Sequence, residues 1–496
     1  MTGAVTPGAA PLRILLELRP ALDGHAGIPQ EARLLFRGLS LVEGLAVEGL
    51  IQASGLVLAR GLAPGGDALA ADRRLDRLSR VVISLQQPVG NAYAHAALMA
   101  VRQLLGGRET LTRFEATHFR DFIWRRLFAR TLPPEDFDAV TRAAFRIARV
   151  PWTAMHRVAL ATRLAGYPLY PRLDTSGLDC MIAETPYPGR VSPGTRLVVR
   201  YHDAIPLLMP HTISDRPFHQ ASHYHALRRN VRDGAWFACV SEATRRDLLS
   251  VFPQAEPRAV TIHNMVSHHY HDGPSEAGRA REIVGTRLHD GVYRPRGEAQ
   301  KPDLAPGDGP LDYLLIVSTL EPRKNHATLL AAWERLRASR LPGLKLVVVG
   351  MFGWDHEAII RKFRPWIERG ELFVLEDVPS AELRQLYQHA RATVCPSLGE
   401  GFDFSGVEAM KCGGAVVASD IAVHREVFDD AAEYFSPYSA EALADAIEAV
   451  VAPQADGRRR DLVARGRPVS QRYTPEAILP KWREFLLARA GPPGAG

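Results

Sequence analysis

Long apolar runs are missing from this chain of 496 residues. The longest, such as LKLVVVG at 344–350, have the length of one strand and fall far short of the roughly 20 residues that cross a bilayer. No transmembrane helix is expected. Cysteine is scarce as well: Cys180, Cys239, Cys395 and Cys412 are widely spaced and form no metal-like pair. That argues against a disulfide framework or a structural zinc site and fits a reducing cytoplasm. The opening MTGAVTPGAAPLR has no basic segment followed by a long apolar core, so no secretory signal is expected. An excess of one charge is lacking too. Lys and Arg number 61 against 55 Asp and Glu, a net of +6, which is mild and points to no nucleic-acid partner.

What is present is ordinary globular material. Hydrophobic residues at 46% and charged ones at 23% match soluble domains, and the length is too great for a single core. The first half opens with RILLEL at 13–18, then the glycine-marked loop DGHAGIPQ at 23–30, then the helical pattern EARLLFRGL. That reads as strand, loop, helix. RLVVRYHD at 196–203 and AWFACVSE at 235–242 are further strand candidates. A stretch rich in Pro, Gly and charge, within VYRPRGEAQKPDLAPGDGP, reads as a linker. The second half alternates LDYLLIVST, LKLVVVG, LFVLEDV, ATVCPS and GAVVASD with amphipathic helical patterns, the signature of a parallel doubly wound sheet. Such sheets bind ligands at the carboxyl ends of their strands. A last helical pattern, PEAILPKWREFLLARA, precedes a GPPGAG tail expected to be disordered.

Two places at those strand ends carry chemistry. After ATVCPS comes LGEGFDFSGVEAM, with Glu400 in the loop and Glu408 eight positions later. Ser405-Gly406-Val407-Glu408 reads as a capping box, with Ser405 as cap and Glu408 reaching back to it. The other reading is a helix N-terminus whose amides and dipole suit a diphosphate, with a carboxylate to accept bonds from sugar hydroxyls. After LLIVST comes LEPRKN, which puts Arg323 and Lys324 at the start of a helix. Paired cations gain nothing from the dipole there, and an anion bound between them would remove the conflict.

Together these stretches resemble the retaining glycosyltransferases of family 4. IVSTLEPRKN, LVVVG with GW, VPSAELRQLYQHARATVCPS, EGFDFSGVEAM and GGAVVASDIAVHREV follow one another as that family's motifs do, over roughly 110 residues, and Glu400 and Glu408 match its E-x7-E spacing. In the first half, the glycine loop at 24–28, YHDAIP, VSEATRRDL and IHNMV fit the same family. The resemblance implies an α/β chain of the GT-B fold, two Rossmann-like domains whose parallel sheets face across a cleft. It sets an acceptor-binding domain at 11–285, a linker at 286–310 and a nucleotide-sugar-binding domain at 311–475. A helix at 476–490 would pack back toward the first domain.

Residue by residue, the resemblance implies that Arg323 and Lys324 hold the donor diphosphate and stabilise the leaving group. Glu400 and the amides of Gly401 and Phe402 would contact the donor sugar, and Glu408 the ribose. Thr319, Asp403, Phe404 and Ser405 would complete the donor site. His202 would lie near the sugar from the opposite domain, and Gly24 and Gly27 would mark the acceptor-side loop. His202, Arg323, Lys324 and Glu400 are then the catalytic candidates. No metal or other cofactor is implied. EPRKN, GFDFSG and SDIAVHREV look most like bacterial mannosyltransferases of surface-polysaccharide assembly, which implies GDP-mannose as donor and a saccharide or lipid-linked saccharide acceptor. One departure is that Gly401-Phe402-Asp403-Phe404-Ser405 stands where many members have Gly-Phe-Gly-Leu-Pro, which leaves the donor sugar open. A nucleotide-sugar epimerase of the same fold and a catalytically silent sugar-nucleotide-binding scaffold are the other readings.

The remaining candidates are plainer. Asp136-Phe137-Asp138 matches an Asp-x-Asp metal pattern but reads as a helix start. His219, His223 and His225 read as a polar surface near the cleft rather than a zinc site. RFEATHFRDFIWRRLFAR at 113–130, followed by an acid-free segment with six arginines from 139 to 173, suits either of two roles. It is a domain helix burying Phe119, Phe122, Ile123 and Leu127, the commoner case, or a peripheral contact with anionic membrane.

Overall fold

The computed structural model describes residues 10–24, 27–63, 68–163, 168–293 and 309–488. Most of the linker expected at 286–310, the last two residues of the helix expected at 476–490, and the GPPGAG tail lie outside them.

Among the described residues, the first half builds an eight-stranded sheet. Its order runs Ala259–Thr261, Trp236–Cys239, Arg196–Tyr201, Cys180–Ala183, Leu12–Glu17, Leu45–Ile51, Ala144–Ile147 and Thr112–Phe114, the last strand antiparallel to its neighbour. Leu12–Glu17 pairs on both sides, Ile14 opposite Val47 and Cys180. Such strands read as continuous apolar runs because helices cover both faces. The second half builds a six-stranded parallel sheet, Leu372–Leu375, Lys345–Val349, Tyr313–Val317, Ala392–Cys395, Val416–Ser419 and Ala432–Phe435. In chain order this is 3-2-1-4-5-6, with helices winding in opposite senses on either side of Tyr313–Val317. The crevice at the strand ends therefore opens between Tyr313–Val317 and Ala392–Cys395. In the first sheet the corresponding reversal lies between Leu12–Glu17 and Cys180–Ala183.

The helix Pro475–Ala488 returns to the first half, where Ile478, Trp482, Phe485 and Leu486 join its core. Arg200, fully buried on the strand Arg196–Tyr201, holds the helix Ile28–Ser40 in place. Its guanidinium meets Glu31 at 2.9 Å and Asn264 at 2.6 Å.

The segment 113–130 forms no single helix. It divides into the strand Thr112–Phe114, a short helix Arg120–Ile123 and a π-helical turn Trp124–Phe128. Ile123, Leu127 and Phe128 are buried in the first core, and Phe119 and Phe122 pack against it. Its apolar face is therefore covered by the protein itself. Asp136 pairs with Arg37 at 2.9 Å, and Asp138 with Arg120 and Arg142, as acids at a helix start do. No cluster of His, Cys, Asp or Glu among the described residues could hold a metal ion. All four cysteines are free and buried.

Candidate active site between two switch points

The strand Tyr313–Val317 leads into a loop that ends in the 3-10 turn Pro322–Lys324. Asn325 closes that turn with a left-handed backbone, φ 59°, before the helix His326–Ser339. Its amide donates to the carbonyls of Pro396 at 3.0 Å and Pro437 at 2.8 Å, which ties the turn to the loop after Ala392–Cys395. Arg323 and Lys324 thus sit in the turn before the helix, not in its first turn. Both face Glu400: Arg323 Nη1 lies 2.9 Å from Oε2 and Lys324 Nζ 2.5 Å from Oε1. Arg323 also meets Glu321 at 2.7 Å and donates to the Gly399 carbonyl at 2.6 Å. Two carboxylates therefore already answer the two cations. Burial would push the Glu400 carboxyl up, but Arg323 and then Lys324 hold it below its ordinary range. Thr319 lies in the same loop, with its methyl group against Gly353.

The capping box does not form. The helix is Phe404–Lys411 and its cap is Asp403, at φ 64°, whose carboxylate accepts from the Ser405 amide at 3.1 Å and hydroxyl at 2.6 Å. The other Asp403 oxygen lies 3.1 Å from His424 Nε2. Burial works to raise this carboxyl, and the His424 bond and charge reverse that, so it stays well below the usual range. Glu408, one turn into the helix and 3% exposed, turns sideways instead of back to the cap. It accepts from Gln30 Nε2 at 2.8 Å and from the Tyr387 hydroxyl at 2.9 Å. Burial raises it to about 7 against the pull of those two bonds. Phe402 buries its ring against Tyr473 and Phe404 and leaves only its backbone toward the cleft.

The first half brings its own residues to this loop. His202 follows the strand Arg196–Tyr201, and its carbonyl oxygen occupies the space a side chain at Gly401 would need. Thr244 Oγ1 donates to the Gly401 carbonyl at 3.3 Å. His202 Nε2 lies 3.2 Å from Glu184 Oε2, and burial, with Arg200 beside it, lowers its imidazole to about 4. It is neutral at physiological pH. The Gly24 carbonyl is held by Arg33, and Gly27, at φ 70°, starts the helix Ile28–Ser40 that carries Gln30 across to Glu408.

The cleft therefore unites His202, Arg323, Lys324, Glu400, Gly401 and Glu408, with Gln30 from the glycine-loop helix. Sequence reasoning missed Gln30, Glu321 and His424, although GIPQ, LEPRK and AVHREV all lay in stretches that carried motifs. It also missed Trp152 and His156, whose i, i+4 spacing in PWTAMH places both on one helix face.

Residues 301–468 match the family model described as glycosyl transferases group 1. The chain carries a glycosyl transferases group 1 domain. A serotype-specific mannosyltransferase WbdA of Escherichia coli is 36% identical over 137 residues, 27% of this chain and 16% of that protein. O-antigen chain mannosyltransferase B of Escherichia coli is 32% identical over 162 residues, 33% of this chain and 42% of that protein. The chain thus spans less than half the length of these relatives. Sucrose-phosphate synthase from Thermosynechococcus elongatus aligns with a TM-score of 0.56 at 16% identity, over 96% of this chain and 100% of that one. HepE from Anabaena, solved with UDP and glucose, aligns with a TM-score of 0.54 at 16% identity over the same shares. The fold is GT-B. The group 1 domain supplies Arg323, Lys324, Glu400 and Glu408, while His202 and Gln30 come from outside the matched residues.

Proposed function

We propose that this protein is a retaining glycosyltransferase that moves a hexose, mannose from GDP-mannose, to a saccharide or lipid-linked saccharide acceptor. One observation carries the reading: Arg323, Lys324 and Glu400 converge at the switch point of one sheet and face His202 from the other. The mannosyltransferase names of the group 1 relatives support the choice of sugar.

The donor diphosphate takes the two cations in place of Glu400, so the site exchanges one anion for another with little new desolvation. Glu400, released, accepts hydrogen bonds from the sugar hydroxyls. The bond from the anomeric carbon to phosphate breaks, and the acceptor oxygen attaches on the same face. The acceptor proton passes to the departing phosphate. Arg323 and Lys324, already fixed, stabilise the charge that collects on that phosphate, so the reading needs no metal. His202, held neutral, meets a sugar hydroxyl without adding charge. Glu408 takes the ribose hydroxyls once Gln30 gives way.

We place the enzyme in the cytoplasm. No helix among the described residues is long and apolar enough to cross a membrane. A peripheral contact with anionic lipid belongs to the helix Ala92–Leu104 instead of the segment 113–130. Leu98, Val101, Leu104 and Leu105 are exposed there beside exposed Arg102 and Arg108.

The deciding experiment titrates GDP-mannose and a set of UDP-sugars into the wild type and Lys324→Ala, followed by product analysis with a saccharide acceptor. The expected result is one preferred donor, bound about 100-fold more weakly by the variant, and a transferred sugar. Conversion of the donor sugar without acceptor would indicate an epimerase. Donor binding with no transfer would indicate a silent scaffold, and absence of donor binding to the wild type would overturn the donor site.

A further inference from the structure

The first sheet has its own switch point, and a cavity of about 230 Å³ opens beside it. That is room for about eight waters at liquid density. Glu184, Tyr201 and His202, each at or just beyond a strand end, line it, with Trp152 and His156 from the helix Trp152–Thr162 and His223 from the helix Arg216–Arg232. Four buried polar atoms of these lining residues have no hydrogen-bond partner: Trp152 Nε1, both ring nitrogens of His156, and Glu184 Oε1. His156 is 2% exposed and Glu184 is fully buried. Nearly all buried polar atoms in folded proteins are paired, so four orphans on one cavity mark groups waiting for a ligand.

The character of that ligand follows from the charges. Burial lowers His156 to about 3 and His223 to about 4, and raises Glu184 to about 8, so at neutral pH these groups face the cavity largely uncharged. The arginines beside Glu184 are committed. Arg200 pairs with Glu31 at 2.9 Å. Arg19 meets Glu17 at 2.7 Å and Thr185 at 3.1 Å, and stacks 4.2 Å over the Trp152 ring. No cation among the described lining residues is left for an anion, and Asp203 adds a second carboxyl. The lining offers an indole donor, an imidazole that both donates and accepts, a carboxyl oxygen that accepts, and aromatic faces. Hydroxyl groups on an apolar ring complement all of these.

The geometry points to this cavity as the subsite for the terminal ring of the acceptor, an uncharged pyranose read by Trp152, His156 and Glu184, with phosphorylated rings excluded. The word acceptor rests on the transferase reading; recognition of a neutral sugar does not. His202 stands between this cavity and the loop at Gly401, which puts the ring beside the donor site.

The test follows methyl α-mannopyranoside and mannose 6-phosphate by saturation-transfer NMR on the full chain, with GDP present and absent. Variants are His156→Phe and Trp152→Phe, which keep an aromatic ring and remove the polar atoms. Expected are binding of the neutral glycoside to the wild type, binding of the phosphate at least tenfold weaker, and loss of at least tenfold in each variant. GDP affinity should not change, and in turnover assays the acceptor KM should rise while the donor KM stays. Equal binding of the phosphorylated ring, retention of glycoside binding by both variants, or no glycoside binding by the wild type would overturn the assignment; the last would mean a cavity that holds water alone. Trp152→Phe decides if His156→Phe does not fold. Glycoside binding that the variants lose, in a protein that transfers no sugar, would sink the transferase reading and leave the subsite standing.

Discussion

At position 401 a single methyl group separates a working cleft from an obstructed one. A Cβ there would overlap the carbonyl oxygen of His202, a backbone atom on a strand end that cannot swing aside. The neighbouring Gly399 offers a contrast, because a Cβ there meets Met209 Sδ at 2.6 Å, the far end of a flexible side chain. Gly401→Ala should therefore lower kcat/KM about 100-fold, the usual cost of a misplacement near 1 Å, and destabilise by about 1–3 kcal/mol. Gly399→Ala should cost far less on both counts. Transfer assays and thermal unfolding of the two variants check this, and equal losses would show that position 401 acts through local backbone alone. The residue scale is also where the sequence was most legible. Arg323, Lys324, Glu400 and Gly401 could be placed together from EPRKN and GEGF, because both stretches directly follow strands that are plain in the sequence. Glu321 could not, since a carboxylate two positions ahead of an arginine reads as an exposed pair until the fold buries both.

In the helix Phe404–Lys411 one of the two readings of Glu408 fails. Ser405 and Glu408 have the spacing of a capping box, but Asp403 tolerates a positive φ and takes the cap two residues earlier, which frees Glu408 for the cleft. Spacing alone cannot choose between two capping residues two positions apart; the His424 contact, made by a distant helix, does. Asp403 lies well below its unfolded value, so its bonds with His424 and Ser405 stabilise the fold above about pH 4 and that stability is lost as pH falls through the range below. Asp403→Asn keeps a capping oxygen and removes the charge. It should destabilise by about 1–3 kcal/mol at pH 7, with the gap to the wild type closing below pH 4 in denaturant titrations; a constant gap would mean that shape, not charge, matters. The helix Ala92–Leu104 raises the reverse problem, since AYAHAALMAVRQLL looks like a core helix, yet Leu98, Leu104 and Leu105 remain exposed. The wild type should cosediment with phosphatidylglycerol vesicles, and Leu104→Asp with Leu105→Asp should abolish this without changing donor affinity. Cosedimentation equal on phosphatidylcholine, or unaffected by the pair, would remove the membrane from the reading.

Across the whole molecule, the two halves are held by contacts that no local pattern in the sequence could reveal. Glu426 accepts from the amides of Glu242 at 2.6 Å and Ala243 at 2.8 Å, at the start of the helix Glu242–Val251, and lies 2.8 Å from His263. A carboxylate at a helix N-terminus gains from both the free amides and the dipole, so this corner is a fixed joint. The clasp at Gln30 is different in kind. Glu408 is raised to about 7, so at neutral pH its carboxyl carries only part of a charge, and Gln30 contributes one neutral hydrogen bond to it. If Glu408 serves the ribose, Gln30 competes with the donor for the same carboxylate, and breaking its bond is a cost that binding must offset. Gln30→Ala removes the competitor and leaves the Tyr387 bond intact. It should tighten GDP-mannose binding by roughly threefold to tenfold, the worth of one such bond, with the larger gain above pH 7, where Glu408 is ionised and accepts more strongly. Calorimetric titrations at pH 6 and pH 8 measure it. Weaker binding by Gln30→Ala would reverse the assignment and make Gln30 a donor ligand in its own right, contributed to the site by the opposite domain.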